Sequence, residues 1–392
     1  MNLSLKRRGP AERPRAGDDP RPDGGPRPPA DRRRGIRFAL LAFATATLAT
    51  VAMAVAVARV TGRSVLGVLS RSDGGWYLAI AERGYPEAVP AGVGDQAQST
   101  LAFFPGYPLL IQAASLTGLP PALAGIVVAT LAGAAASVVL WLLAERVADA
   151  RTANRAVLLF CFFPPAFVLP MVYSEALFFL LVGTCLLQLI RERWPTAGMA
   201  AALAGLVRPT GLVLTLCCGW AALAAIRRRR SWRPAIAPLL APTGTLAFFA
   251  YLQVHTGDWL AYVHATRRGW GQGFDFGAST LRTLQQVVAD RQFGLYIVML
   301  GVTAAAVVVA GYLLVRWPLP APVLIYVAGA AGIALLSSNI TSLPRYLLAA
   351  FPVLIPVARQ LSDERYPMVV AASATLMATL FWTTSLVPWL AP

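Results

Sequence analysis

Long apolar runs separated by short polar links dominate the sequence from residue 36 onward. The runs occupy residues 36–58, 101–118, 120–144, 156–172, 176–190, 196–226, 235–254, 293–315, 319–337, 343–358 and 368–388. A helix needs about 20 mostly apolar residues to cross a bilayer, and only helices and closed barrels satisfy their backbone there. The pattern therefore predicts an all-α polytopic membrane protein with a bundle of about ten transmembrane helices.

The run 196–226 departs from a simple span because Arg208-Pro209-Thr210-Gly211 interrupts its middle. Arginines flank it on both sides, at Arg191–Arg193 and Arg227–Arg230, and such flanks are typical of cytoplasmic loops. We expect two short helices or a re-entrant pair, broken at Pro209 and Gly211.

The two runs between residues 101 and 144 raise a similar question about sidedness. Two crossings there would place the arginine-bearing link 145–155 outside, which the positive-inside rule disfavours. One of these runs is therefore expected to be re-entrant or split.

Composition agrees with a membrane protein, because 57% of the residues are hydrophobic and only 13% are charged, against about 25% charged in soluble domains. The net charge is +16, and the first 37 residues contain 11 Lys and Arg residues against 5 acidic ones. Residues 1–35 are also rich in Pro and Gly, which predicts a disordered cytoplasmic tail. This tail is interpreted as a topology signal rather than a nucleic-acid-binding arm. Residues 36–392 are expected to form a single transmembrane domain with the N-terminus cytoplasmic.

Two polar stretches, residues 59–100 and 255–292, are predicted to be extracytoplasmic loops. The first contains Asp73 beside Gly74-Gly75 and several aromatic residues. Asp73 could be a general base, a metal ligand or a helix N-cap.

Three further charged residues lie within or at the edge of apolar runs. Glu175 could sit in the first helical turn behind a Ser174 cap, or it could face the membrane interior as a functional acid. Arg208 needs an anionic partner at its depth, either Glu175 or a lipid phosphate. Arg345 starts a helix on the predicted outer side, where a phosphate-binding role would explain it.

Other chemistry is not indicated by the sequence. It contains no Walker A loop, no G-x-G-x-x-G and no H-E-x-x-H. The four cysteines lie inside apolar runs without zinc-ligand spacing. We expect neither a metal nor a cofactor.

Taken together, the motifs resemble those of the PIG-V family, which includes the GPI mannosyltransferase 2 enzymes. The resemblance spans most of residues 70–352. It rests on Asp73-Gly74-Gly75-Trp76-Tyr77, Gly84-Tyr85-Pro86-Glu87, Ala102-Phe103-Phe104-Pro105-Gly106-Tyr107-Pro108, Phe163-Pro164-Pro165-Ala166-Phe167, Tyr173-Ser174-Glu175, Arg208-Pro209-Thr210-Gly211 and Arg345-Tyr346. Ser72 stands where many members have Trp, and the Arg- and Ala-rich composition suits a bacterial member.

The resemblance implies a GT-C membrane glycosyltransferase in the plasma (inner) membrane. Such an enzyme transfers a sugar, here mannose, from a polyprenyl-phosphate donor to a lipid or glycan acceptor on the outer face, with inversion. Asp73 is the implied base, and Arg345 and Arg208 are the implied donor-phosphate ligands. The implied substrate contacts are Glu175, Trp76, Tyr77, Tyr85, Glu87, Tyr107 and Tyr173. A transporter or flippase for a lipid-linked sugar is the main alternative, and a non-catalytic scaffold is a third.

Overall fold

The computed structural model describes residues 29–271, 273, 311–312, 314–336 and 343–386, and within these ranges the chain is helical without strands. We number the helices in chain order. They are α1 Pro29–Thr61, α2 Val65–Leu69, α3 Asp73–Arg83, α4 Gly106–Ser115, α5 Pro121–Val147, α6 Ala150–Cys161, α7 Glu175–Ile190, α8 Trp194–Val207, α9 Val213–Arg229, α10 Ile236–Leu240, α11 Thr243–Thr256, α12 Ala261–Trp270, α13 Ala321–Leu336, α14 Leu343–Leu348, α15 Leu354–Gln360 and α16 Arg365–Leu386.

The first helix is longer than the apolar run alone predicts. It begins at Pro29 rather than at residue 36, so residues 29–35 are helical and do not belong to a disordered tail. Proline is favoured in the first turn, where its missing N–H leaves no bond unmade, and Asp31 complements the helix dipole. The remainder of the predicted tail lies outside the described residues.

One end of the bundle gathers charged residues from helices that are distant in sequence, and we call it the basic end. Arg32 at the start of α1 contacts Glu145 at the end of α5 at 3.2 Å, so these two helices are antiparallel. Arg151 and Arg155 both bind Asp363, and the bond from Arg151 holds the pKa of that carboxyl below its ordinary value.

The opposite end, which we call the site end, holds Asp73, Glu175, Arg208 and Arg345. The segments that run between the two ends are α1, α5, α6 with the turn after it, α7, α8, α9, α10 with α11, α13, α14 with α15, and α16. By length and composition, five of the described helices qualify as membrane spans, and three more are shorter and apolar. The predicted all-α polytopic membrane fold is confirmed.

The structure settles which run between residues 101 and 144 is split. The run 101–118 forms a 3₁₀ turn followed by α4, only 10 residues long. At 1.5 Å per residue α4 extends about 15 Å, about half of a bilayer core. Only α5 therefore passes from the site end to the basic end, and the link 145–155 returns to the end that holds Arg32.

The predicted break in the run 196–226 is also present. Helix α8 ends at Val207, a 3₁₀ turn covers Pro209–Leu212, and α9 follows. A Cβ on Gly211 would lie 2.6 Å from the backbone nitrogen of Gly205, so glycine permits this close return of the chain. The break leaves Arg208 at the site end rather than in the middle of a span.

Both predicted loops contain helices. Residues 59–100 include α2 and all of α3. Residues 255–271 include the end of α11 and all of α12, which ends at Trp270. Residues 272 and 274–292 of the second loop and residues 293–310 of the next apolar run lie outside the described residues.

Candidate active site

A sharp turn before α3 places Asp73 at the site end. Ser72 has φ of 55° and ψ of −121°, a conformation that residues with a Cβ rarely adopt. It occupies the N-cap position without a side-chain capping bond, and Asp73 lies in the first helical turn. The N-cap interpretation of Asp73 is therefore wrong, and its carboxylate is free to bind elsewhere.

The carboxylate of Asp73 meets the guanidinium of Arg345. Nη1 of Arg345 donates to Oδ2 of Asp73 at 2.7 Å. The side chain of Arg345 is 8% exposed and that of Asp73 is 24% exposed, so the aspartate is the open side of the pair. A charge-assisted bond of this length is among the stronger hydrogen bonds in proteins.

Glu175 extends this pair into a chain of four alternating charges. Its Oε1 accepts a 2.6 Å bond from Nη1 of Arg208 and lies 3.5 Å from Nε of Arg345. The carboxylate is 2% exposed, so it is held by its two arginine partners rather than by water. Within the described residues these two acids and two arginines balance in formal charge.

Ser174 does not cap α7, although the sequence allowed that role. It makes no capping bond. Its hydroxyl instead lies 2.8 Å from the hydroxyl of Tyr77 and 3.3 Å from Nη1 of Arg208. The Tyr-Ser-Glu segment therefore places both Ser174 and Glu175 against Arg208.

Aromatic rings surround Arg345. The guanidinium carbon lies 5.5 Å from the ring centres of both Tyr173 and Tyr346, within the range of cation–π attraction. The hydroxyl of Tyr173 is buried and has no partner among the described residues. A buried hydroxyl without a partner is costly, so a group that could bond to it belongs at this position.

A cluster of three half-buried rings flanks the charges. Trp76 stacks on Phe103 with ring centres 5.9 Å apart, and Trp270 meets both edge-on at 5.5 and 5.6 Å. Trp76 lies one helical turn after Asp73, on the same face of α3. Trp76 was predicted from the sequence, whereas Phe103 and Trp270 were not selected. The Phe-Phe-Pro motif could have indicated Phe103, but no local pattern distinguishes Trp270.

Three predicted substrate contacts take other positions. Tyr107 is fully buried and donates to the carbonyl of Gly125 at 2.8 Å. Tyr85 donates to the carbonyl of Phe103, so it holds the loop after α3 against the start of α4. Glu87 is exposed and forms no ion pair within the described ranges. The structure brings Asp73, Trp76, Tyr77, Tyr173, Glu175, Arg208 and Arg345 together. Tyr107 packs edge-on against Tyr77 with ring centres 5.2 Å apart, so it supports this cluster from within the core. Among the described residues, no hydrogen bond or ring contact joins Tyr85 or Glu87 to the cluster.

Metal-binding residues are not gathered in this region. Within the described part of the chain, no group of three or more His, Cys, Asp or Glu side chains is arranged to hold a metal ion. The two arginines offer positive charge for an anionic substrate. That the chemistry needs no metal remains a prediction.

Comparison with solved structures identifies a protein with a similar fold. The chain is similar to ArnT from Cupriavidus metallidurans, whose crystal structure is bound to undecaprenyl phosphate, with a TM-score of 0.51 and 16% identity. The similarity covers 88% of this chain and 65% of that one, so this chain spans less than two thirds of the length of ArnT. At this identity the likeness concerns the fold, and the predicted GT-C-like bundle is confirmed.

Comparison with sequence families gives a direct assignment. None of the curated proteins matches the sequence. The family model described as mannosyltransferase (PIG-V) matches residues 39–265, more than half of the 392 residues. The match includes Asp73, Glu175 and Arg208. The chain therefore belongs to the PIG-V family of mannosyltransferases.

Proposed function

We propose that this protein transfers a mannosyl group from a polyprenyl-phosphate donor to a hydroxyl of a lipid or glycan acceptor, at the extracytoplasmic face of the membrane. The observation that carries the proposal is the chain of ion pairs formed by Asp73, Arg345, Glu175 and Arg208 at one end of the bundle. It combines a partly exposed carboxylate with two guanidinium groups, as deprotonation of a hydroxyl beside a leaving phosphate requires.

The chemical roles follow from the exposure of each group. Asp73 is the more accessible acid, so it accepts the proton of the acceptor hydroxyl as that oxygen attacks the anomeric carbon. Arg345 and Arg208 bind the phosphate, whose negative charge grows as the bond to the sugar breaks. A single displacement of this kind inverts the anomeric centre. Glu175 is too buried to be the base and holds both arginines in place.

The donor class is supported by two observations. An undecaprenyl phosphate is bound to ArnT, which has a similar fold. The site end of this chain also holds two arginines, Arg208 and Arg345, whose guanidinium groups suit the binding of a phosphate. Trp76, one helical turn after Asp73, packs with Phe103 and Trp270, and such ring surfaces suit the apolar face of a sugar.

The orientation is supported by the distribution of arginines. Arg227–Arg230 follow α9 at the basic end, and clusters of this kind remain cytoplasmic. The site end then faces outward, and the N-terminal end of α1 is cytoplasmic because Arg32 lies at the basic end. In a bacterium this membrane is the plasma (inner) membrane.

The test is a transfer assay with purified protein, radiolabelled polyprenyl-phosphate mannose and a total lipid extract. Wild type is expected to form a labelled product that Asp73→Asn does not form, with no loss when a metal chelator is added. The product identifies the acceptor. A protein that moves the donor across liposome membranes without forming product would instead be a flippase, and the proposal would be withdrawn.

A further inference from the structure

The proposed base, Asp73, and the proposed phosphate ligand, Arg345, form an ion pair with each other at 2.7 Å. We propose that the donor phosphate replaces Asp73 on Arg345, so that Asp73 becomes available as a base only after the donor has bound. The inference rests on the proposed function, and it adds an order of binding: donor first, acceptor second.

The geometry of Arg345 makes Asp73 the replaceable partner. Asp73 is 24% exposed and contacts Arg345 through a single terminal nitrogen, Nη1. Glu175 is 2% exposed and lies on the other side, near Nε at 3.5 Å. An anion arriving from solvent or from the bilayer surface therefore meets Arg345 on the side of Asp73.

The second acid is fixed in place by its other contacts. Glu175 accepts a bond from Arg208 at 2.6 Å, and Arg208 also donates to Ser174. The guanidinium of Arg345 is further held against the rings of Tyr173 and Tyr346. Arg345 can thus exchange one partner while its position is maintained by the others.

Charge balance favours the exchange. The two acids and two arginines are neutral together, and a bound phosphodiester adds one negative charge beside Asp73. The like charges repel, so the carboxylate separates from Arg345 when the phosphate takes its place. A carboxylate that no longer accepts a hydrogen bond from a guanidinium can accept a proton from the acceptor hydroxyl.

The transfer step preserves this balance. The acceptor oxygen forms a bond to the anomeric carbon, the bond from that carbon to the phosphate oxygen breaks, and its electron pair remains on the phosphate. The proton of the hydroxyl moves to Asp73. One negative charge is thereby lost at Asp73 and gained at the phosphate, and Arg345 lies between the two positions.

Binding of undecaprenyl phosphate to purified protein tests the exchange without any acceptor. If Asp73 competes with phosphate for Arg345, Asp73→Asn is expected to bind this lipid about 10-fold more tightly than wild type at equal ionic strength, although it lacks transfer activity. Glu175→Gln is expected to bind it more weakly, because its arginines lose their fixed partner. Glu82→Gln, an exposed change on the same helix, is expected to match wild type.

Three results would overturn the exchange. Equal or weaker binding by Asp73→Asn would mean that Asp73 does not compete, and the proposed function would stand. Equal tightening by Asp73→Asn and Glu175→Gln would reflect net charge alone. If neither wild type nor any variant binds the lipid, the proposed donor is wrong and the proposed function fails together with the exchange.

A measurement on the wild-type protein avoids dependence on folded variants. Infrared difference spectra on adding undecaprenyl phosphate are expected to show a carboxylate band that shifts as Asp73 leaves its guanidinium partner, and the band is expected to be absent from Asp73→Asn. A spectrum with phosphate bands but no carboxylate change would overturn the exchange.

Discussion

Arg345 donates a 2.7 Å hydrogen bond to Asp73 across 272 positions of the chain. Helix α3 brings the acid and α14 brings the arginine to the same end of the bundle. The pair joins the proposed base to a proposed phosphate ligand. The arrangement leads to predictions about catalysis, stability and topology.

Replacing Asp73 with Asn should abolish transfer while leaving the fold intact. Loss of a general base typically costs about 10²–10⁴-fold in rate, and Asn keeps the size of the side chain. Initial rates with saturating donor measure the effect. Glu82→Gln, on the exposed side of α3, should retain the wild-type rate. Wild-type turnover by Asp73→Asn would contradict the assignment of the base.

Replacing Glu175 with Ala should strongly destabilise the protein. The change leaves the buried guanidinium groups of Arg208 and Arg345 without their shared carboxylate, and breaking buried pairs costs about 3–5 kcal/mol. Thermal unfolding in detergent, followed by size-exclusion chromatography, measures the loss.

The matched control for Glu175 lies at the basic end. Glu192 binds Arg228 and Arg229, whose side chains are more than half exposed. Solvent screens such pairs, so Glu192→Ala should cost about 1 kcal/mol or less. Similar losses of thermal stability for Glu175→Ala and Glu192→Ala would show that the burial of Glu175 with Arg208 and Arg345 adds little to stability.

Replacing Gly244 with Ala should separate α8 from α11. A Cβ at this position would lie 1.8 Å from the carbonyl oxygen of Ala202, and backbone cannot yield as a flexible side chain can. Overpacking costs about 1–3 kcal/mol. The displacement of α8 should also weaken donor binding, because Arg208 follows its last residue.

Gly219→Ala is the control for Gly244→Ala, since nothing lies within 4 Å of its added Cβ. There the better helix propensity of alanine should leave stability unchanged or raise it by about 1 kcal/mol. Thermal unfolding of both variants gives the comparison. A stable Gly244→Ala would imply that the two helices pack less closely than observed.

Replacing Ser72 with Gly should stabilise the turn before the site. Ser72 has φ of 55°, a backbone conformation that glycine adopts without strain. Glycine also loses more conformational freedom on folding, so the expected net stabilisation is about 1 kcal/mol. A higher melting temperature is expected. Ser72→Val, which has a branched Cβ, should lower it, and the opposite order would argue against a strained turn.

Orientation can be measured by cysteine labelling in intact cells. The four native cysteines are buried and can be replaced first. Glu82→Cys, near the site end, should react with a membrane-impermeant maleimide added outside, and Arg230→Cys, at the basic end, should react only after permeabilisation. The reverse pattern would invert the proposed topology.

The apolar pattern predicted most of the helices, because a bilayer requires long apolar segments with internally bonded backbone. It also located the break at Arg208–Gly211, since proline and glycine disfavour a continuous helix. It did not distinguish the short helix α4 from a span, because length along the sequence says nothing about where the chain turns. The same limit hid Trp270, which reaches the site through the packing of α12 against Trp76 and Phe103.

The sequence by itself determined the membrane class, the family and the residue types that could act on a sugar phosphate, because composition and local motifs are written along the chain. Only the tertiary structure decided that Asp73 and Arg345 are partners, that Glu175 pairs with two arginines, that Tyr107 is buried against Tyr77, and that Tyr85 and Glu87 lie apart from this cluster. Ion pairing depends on distance in space and on burial, and neither follows from the order of residues.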